Sequence, residues 1–194
     1  MRFTRRITAV AVSVAAMVAA PAALASTSSS VGSVSGAPAM NVCLFMVDCT
    51  YVNFAHGKPT DVVKHSGTIV SWKALRCGGL QLRVLRPVGN GKFRFVRSSV
   101  TRAATIFGIN TFPAHIPVHA GDVLALRDTG SAAQSSCLMF AVNGAGHSVR
   151  YYRPSPHDGA TAKPNQSTLT DQNSGQGDAA TPHLRALFSA TVAH

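Results

Sequence analysis

Short runs of alternating apolar and polar residues, closed by glycine and proline, constrain this chain more than any other feature. In Leu80-Gln81-Leu82-Arg83-Val84 an extended backbone sends successive side chains to opposite faces. Leu80, Leu82 and Val84 therefore share one face, and Gln81 and Arg83 the other. The run reaches Pro87 and enters Val88-Gly89-Asn90-Gly91, where the Asn-Gly step supplies the positive-φ residues of a tight hairpin turn. Lys92-Phe93-Arg94-Phe95 resumes the alternation. The two runs are expected to pair antiparallel, with Phe93 and Phe95 toward a core and Arg83, Lys92 and Arg94 toward water.

Other segments of strand length, rich in β-branched or aromatic residues, lie at 51–54, 68–75, 122–127 and 137–142, with turn signals between them. Residues 112–118 carry Pro113 and Pro117, which restrict them to an edge or a connector. Residues 184–192 resemble a closing strand. No amphipathic helical stripe competes, and all seven acidic residues are aspartates, so the glutamates on which long helices lean are missing. The pattern predicts an all-β fold: a single antiparallel β-sandwich, jelly-roll-like, over residues 42–194. A long polar loop is expected at 153–182. The Ser-, Gly- and Ala-rich stretch 26–41 has too few large apolar residues to offset its ordering entropy and reads as a flexible leader.

Ahead of it, Arg2, Arg5 and Arg6 form a positive head, residues 7–20 carry no charge, and Ala23-Leu24-Ala25 is a small-x-small cleavage site. This is the pattern of a secretory signal peptide cut after Ala25. The apolar run is shorter than the ~20 residues a membrane span needs, so no span is expected after cleavage. Thr8 and Ala9 follow Arg5-Arg6 where a twin-arginine signal would carry stronger apolar residues, and no cysteine follows Ala25 as a lipoprotein would require. General secretion to an extracellular destination is the expectation. Four cysteines, Cys43, Cys49, Cys77 and Cys137, lie beyond the cleavage site, and export favours disulfides. Three pairings are open. Cys43 with Cys49 closes a local loop, and Cys77 with Cys137 ties two distant strands. Zinc ligation is disfavoured, because structural sites use closely spaced pairs.

Without the signal peptide, fifteen Lys and Arg face seven Asp, a net charge of +8, which draws a secreted protein toward anionic surfaces. Arg76, Arg83, Arg86, Lys92, Arg94, Arg97 and Arg102 fall in one short segment. Hairpin alternation would expose several on one face. Arg83, Arg86, Lys92 and Arg94, with Tyr151 or Tyr152 as a sugar-stacking surface, are the candidate polyanion- or glycan-binding residues. Phe93 and Phe95 are committed to a core, which leaves no exposed aromatics for base stacking and argues against sequence-specific nucleic-acid binding. Trp72, in mid-strand, is expected to be buried. His115 and His119 cannot share a helix across Pro113 and Pro117, and along a strand they stand about 13 Å apart. No metal or cofactor site is expected. A Gly-x-Ser-x-Gly elbow is absent, only aspartates could form a glycosidase pair, and Asp122 and Asp128 read as turn and strand-end residues. No catalytic residues are assigned.

Residues 67–73 (Gly-Thr-Ile-Val-Ser-Trp-Lys), 80–87, Thr111-Phe112-Pro113 and Val118-His119-Ala120-Gly121-Asp122, with Cys49-Thr50-Tyr51-Val52 and Pro156-His157-Asp158-Gly159-Ala160, together resemble a family of uncharacterised secreted actinobacterial proteins. The resemblance spans residues 43–192 and implies a signal peptide followed by one β-sandwich domain. It carries no activity or catalytic residues, and Cys77 and Cys137 depart from its pattern. The sequence therefore points to a non-enzymatic cell-envelope or extracellular module for anionic or carbohydrate polymers. A structural or self-associating surface protein is the alternative, a secreted hydrolase a weaker one, and oligomeric state is left open.

Overall fold

The computed structural model describes residues 27–36, 38–42, 48–104, 108–129, 137–142, 146–164 and 184–194. The signal segment and Cys43 lie outside them. Every regular element among the described residues is a strand. In chain order these are β1 (Ser28–Ser33), β2 (Pro38–Val42), β3 (Cys49–Ala55), β4 (Lys58–Pro59), β5 (Gly67–Pro87), β6 (Phe93–Ser98), β7 (Arg102–Ala104), β8 (Ile109–Val118), β9 (Val123–Asp128), β10 (Cys137–Val142), β11 (His147–Tyr152), β12 (Thr161–Ala162), β13 (Leu184–Ala186) and β14 (Phe188–Ala193).

The two runs expected at 68–75 and 80–86 are one strand of 21 residues, β5, and it belongs to both layers. Its first half pairs with β14 and β8, and β1 extends that sheet beyond β14. Its second half pairs with β6, β7 and β9, and the second sheet continues through β3 to β11. All of these pairings are antiparallel. The strand changes layer at Arg76 and Cys77, which pair with β10, followed by Gly78 at φ 98°, a conformation that glycine adopts without steric penalty. β10 also joins β2 and β13 into a small third set of strands. Neighbouring strands are mostly distant in sequence, the mark of a jelly-roll-like sandwich rather than a meander.

The layers enclose one apolar core. Ile69, Trp72, Phe188 and Val192 come from the first sheet, and Tyr51, Leu82, Leu124 and Leu126 from the second. Trp72 is buried as expected and packs 4.5 Å from Phe112, ring centre to ring centre. β8, for which the prolines left an edge or a connector open, is an edge strand, paired among the described residues with β5 alone. Inside the core Asn53 staples β3 of the second sheet to β13. Its amide donates to Asp61 Oδ2 (2.7 Å) and to the Ala186 carbonyl (3.0 Å), and its oxygen accepts from the Ala186 N–H (2.8 Å). A side-chain amide carries the donor and acceptor of a peptide group, so Asn53 satisfies both backbone groups of Ala186 as a neighbouring strand would.

Two segments differ from expectation. Within the presumed leader 26–41, β1 is a hydrogen-bonded edge strand of the first sheet and β2 pairs with β10. Backbone groups pair whatever the side chain, and Val31, 6% exposed, supplies an anchor in the core. Within the presumed polar loop 153–182, residues 153–164 form a strap along the second sheet that includes β12, paired with β6; residues 165–183 fall outside the description.

Candidate functional site

The hairpin of β5 and β6 forms as its sequence predicts. Val88 N–H bonds to the Lys92 carbonyl (3.1 Å) and Lys92 N–H to the Gly89 carbonyl (2.9 Å), with Asn90 and Gly91 at φ 51° and 68°. Pro87 faces Phe93, Arg86 faces Arg94 and Leu85 faces Phe95 in register; Val96 is then passed over, and Val84 faces Arg97. That bulge shifts the side-chain parity within β6.

The faces are assigned differently from expectation. Leu80, Leu82 and Val84 do join the inter-sheet core, but the opposite face of the second sheet is not a solvated one. Phe93 and Phe95 lie there with Val52, Phe54, Leu85, Val123, Ala125 and Tyr152 in a second apolar cluster. The sequence signal was available in Val123-Leu124-Ala125-Leu126, an apolar run without alternation, which marks a strand covered on both faces.

Arg83 lies on that covered face and is 1% exposed, so it is not the surface cation that alternation alone predicts. Its Nη1 donates to Ser155 Oγ (3.0 Å), and its Nη2 donates to the Pro156 carbonyl (2.8 Å) and to Asp158 Oδ1 (2.9 Å). Its Cζ stands 4.9 Å from the centre of the Phe95 ring, within cation–π range. Burial pulls its pKa down from the ordinary guanidinium value, and the Asp158 charge works in the opposite direction. The strap that supplies Ser155, Pro156 and Asp158 is held by backbone bonds from Gly159 N–H to the Phe95 carbonyl and from Phe95 N–H to the Ala160 carbonyl.

Arg86 is part-exposed but committed. Its Nε and Nη2 donate side by side to the buried Asp122 carboxylate (2.8 and 3.0 Å), and Nη2 also lies 2.7 Å from His119 Nδ1. The Asp122 hydrogen bond raises the Arg86 pKa. Asp122 additionally accepts the His119 N–H (2.9 Å), the turn role expected of it. Arg127 is engaged by Asp48 and Gln81, and Arg185 lies 3.8 Å from Asp61. The aspartates thus gather arginines inward rather than leaving them free.

Lys92 and Arg94, at the hairpin tip, and Arg97, beyond the bulge, are exposed. Lys163 joins them, because its Cε stands 3.6 Å from where a Cβ on Gly91 would sit. β12 places Thr161 opposite Arg94, so the strap brings Lys163 back to the turn. Sequence reasoning missed Lys163 because its segment reads as loop. These four cations form the exposed basic edge of the second sheet.

The tyrosine pair on β11 is also placed differently. Tyr152 is 3% exposed, packs edge-on to Phe95 at 4.9 Å, and has its pKa raised by burial. Tyr151 is half-buried against the inter-sheet core. Since both faces of β11 are covered, neither ring is a free stacking platform. His115 is exposed on β8, and among the described residues no three His, Cys or Asp groups gather as a metal requires. No helix there is long and apolar enough to cross a membrane. Cys49 lies in the inter-sheet core, where burial pushes its thiol up to about 11. Cys77 and Cys137 stand directly opposite each other in register. Comparisons with protein-family models, curated proteins and solved structures return no match to this chain.

Proposed function

We propose that this chain is an exported, non-enzymatic β-sandwich module that binds anionic polymers of the cell envelope or extracellular matrix through the basic edge formed by Lys92, Arg94, Arg97 and Lys163. The observation that carries the reading is the division among the cations. Arg83, Arg86, Arg127 and Arg185 have aspartate partners, whereas Lys92, Arg94 and Lys163 are exposed around the hairpin turn and Arg97 is exposed farther along β6. Clustered exposed charge creates a potential that concentrates polyanions and is screened by salt. The leader with Arg2, Arg5 and Arg6 supports export, as does the resemblance to secreted actinobacterial proteins. An oxidising destination in turn suits a disulfide between Cys77 and Cys137, because cross-strand partners in an antiparallel ladder have Cα separations of about 4.5–5.5 Å, inside the range a disulfide spans.

The test is retention on purified anionic wall polymer across a salt gradient, comparing the mature chain with the triple variant Lys92→Glu, Arg94→Glu, Arg97→Glu. The natural chain should elute late and in a salt-dependent manner, and the variant in the void with an unchanged circular dichroism spectrum. Equal retention of the two would overturn the assignment.

A further inference from the structure

Two arginine–aspartate pairs in this molecule are built differently. Arg86 presents its Nε and Nη2 edge to both oxygens of Asp122, the side-by-side geometry that makes guanidinium–carboxylate pairs strong. Arg83 is the more deeply buried of the two and gives Asp158 only Nη2, while its Nε–H is buried with no acceptor. Buried donors in native proteins are almost always satisfied, and leaving one empty beside a desolvated charge is costly. Tyr152 OH is another buried polar atom with no partner, on a ring that packs against the Phe95 ring over which Arg83 also lies. Of the groups bonded to Arg83, Asp158 is the most exposed, at 46%. It is also gripped by the Ser98 hydroxyl (2.8 Å) and is followed by Gly159 at φ 89°.

We propose that Arg83 is a latent oxyanion seat in which Asp158 stands as an internal, half-fitting occupant. A carboxylate or phosphate oxygen pair of the polymer replaces Asp158 on the Nε and Nη2 edge, with Ser98 Oγ as a further donor. The inference rests on the polyanion-binding reading and adds to it a second, specific contact behind the exposed edge. The basic edge draws the polymer in, and Arg83 takes one of its anionic groups when Asp158 swings outward to solvent. No covalent bond is made or broken. The exchange swaps one charge-assisted hydrogen-bond acceptor for another that can use both donors of the fork.

Anion rescue tests it on the mature chain. Asp158→Ala should lower Tm, and inorganic phosphate or acetate should restore most of the loss where chloride at equal ionic strength does not, because a ligand bound only to the folded state raises its stability. Comparing phosphate with acetate shows which oxyanion the seat prefers. Arg83→Met, of similar volume and without donors, should remove the rescue from the Asp158→Ala background. Where Asp158→Ala folds poorly, the ¹⁵N Arg83 Nε–H resonance of the natural chain, titrated with phosphate, gives the same answer by shifting. No rescue beyond chloride, or an unmoved Nε–H resonance, overturns the seat. The two proposals separate in the triple charge-reversal variant, which should lose polymer retention yet keep phosphate rescue when combined with Asp158→Ala. Intact salt-sensitive retention without rescue sinks the seat alone.

Discussion

Replacing Asn53 with alanine should be among the most damaging single changes in this molecule, although it removes only a few atoms. Asn53 is 1% exposed and makes three hydrogen bonds of 2.7–3.0 Å, two to the backbone of Ala186 and one to Asp61. Alanine leaves a buried N–H, a buried carbonyl and a buried carboxylate without that partner. Each orphaned group costs about 1–3 kcal/mol. The Ala186 carbonyl keeps a second lone pair and the vacated space can admit water, which favours the lower end, so the expected loss is about 3 kcal/mol. For a domain of this size that lowers Tm by roughly 6–12 °C and the urea midpoint by roughly 1–1.5 M at an unchanged slope. The single tryptophan, Trp72, is fully buried in the same core, so its fluorescence reports the transition directly. A loss within about 0.5 kcal/mol, the range of ordinary surface substitutions, would refute the view that Asn53 substitutes for a strand neighbour of β13.

Two further outcomes are expected. Burial raises the Asp61 pKa above its ordinary 3.8, opposed by the hydrogen bond from Asn53 and the charge of Arg185. A raised acid pKa means that the fold favours the protonated form, so this contribution is fully present below 3.8 and is lost as pH rises through the folded value. Asp61→Asn, which keeps an acceptor for Asn53, should match or exceed the natural chain at pH 7 and lose that advantage in acid. Urea midpoints at both pH values check it, and parallel profiles for the two proteins would contradict it. Non-reducing peptide mapping should find Cys77 joined to Cys137. Closing a loop of about sixty residues, that bond should contribute about 4 kcal/mol in the chain-entropy model, read as the stability lost in Cys77→Ala, Cys137→Ala. Unlinked thiols at both positions would dismiss it.

Local rules reached the elements that local forces decide. The Asn90-Gly91 turn, the β5–β6 hairpin, the proline-bearing edge of β8 and the burial of Trp72 depend on backbone preferences and a period of two, and both are written in consecutive residues. The layer change within β5 was not legible, because Gly78-Gly79 looks like a turn between two strands. Only the pairing of each half with a different sheet shows that hydrogen bonding continues through it. β1 was missed for a related reason. Its serines carry no hydrophobic signal, and it exists because β14 offers an unpaired edge.

Arg83 shows how a parity argument can be right and its functional conclusion wrong. Alternation correctly sets Arg83 opposite Leu82, but parity names a face and not what covers it. The cover is the strap 153–164, remote in sequence and polar in composition, which reaches Arg83 with a hydroxyl, a carbonyl and a carboxylate rather than with apolar bulk. Polar composition was read as solvation, whereas here it is what a buried guanidinium requires. The same strap returns Lys163 to the hairpin tip, so one segment both withdraws an arginine from the surface and adds a lysine to it. The basic edge is therefore a tertiary feature: two of its cations, Lys92 and Arg94, come from the hairpin tip, a third from the far side of a bulge, and the fourth only from the chain's return along β6.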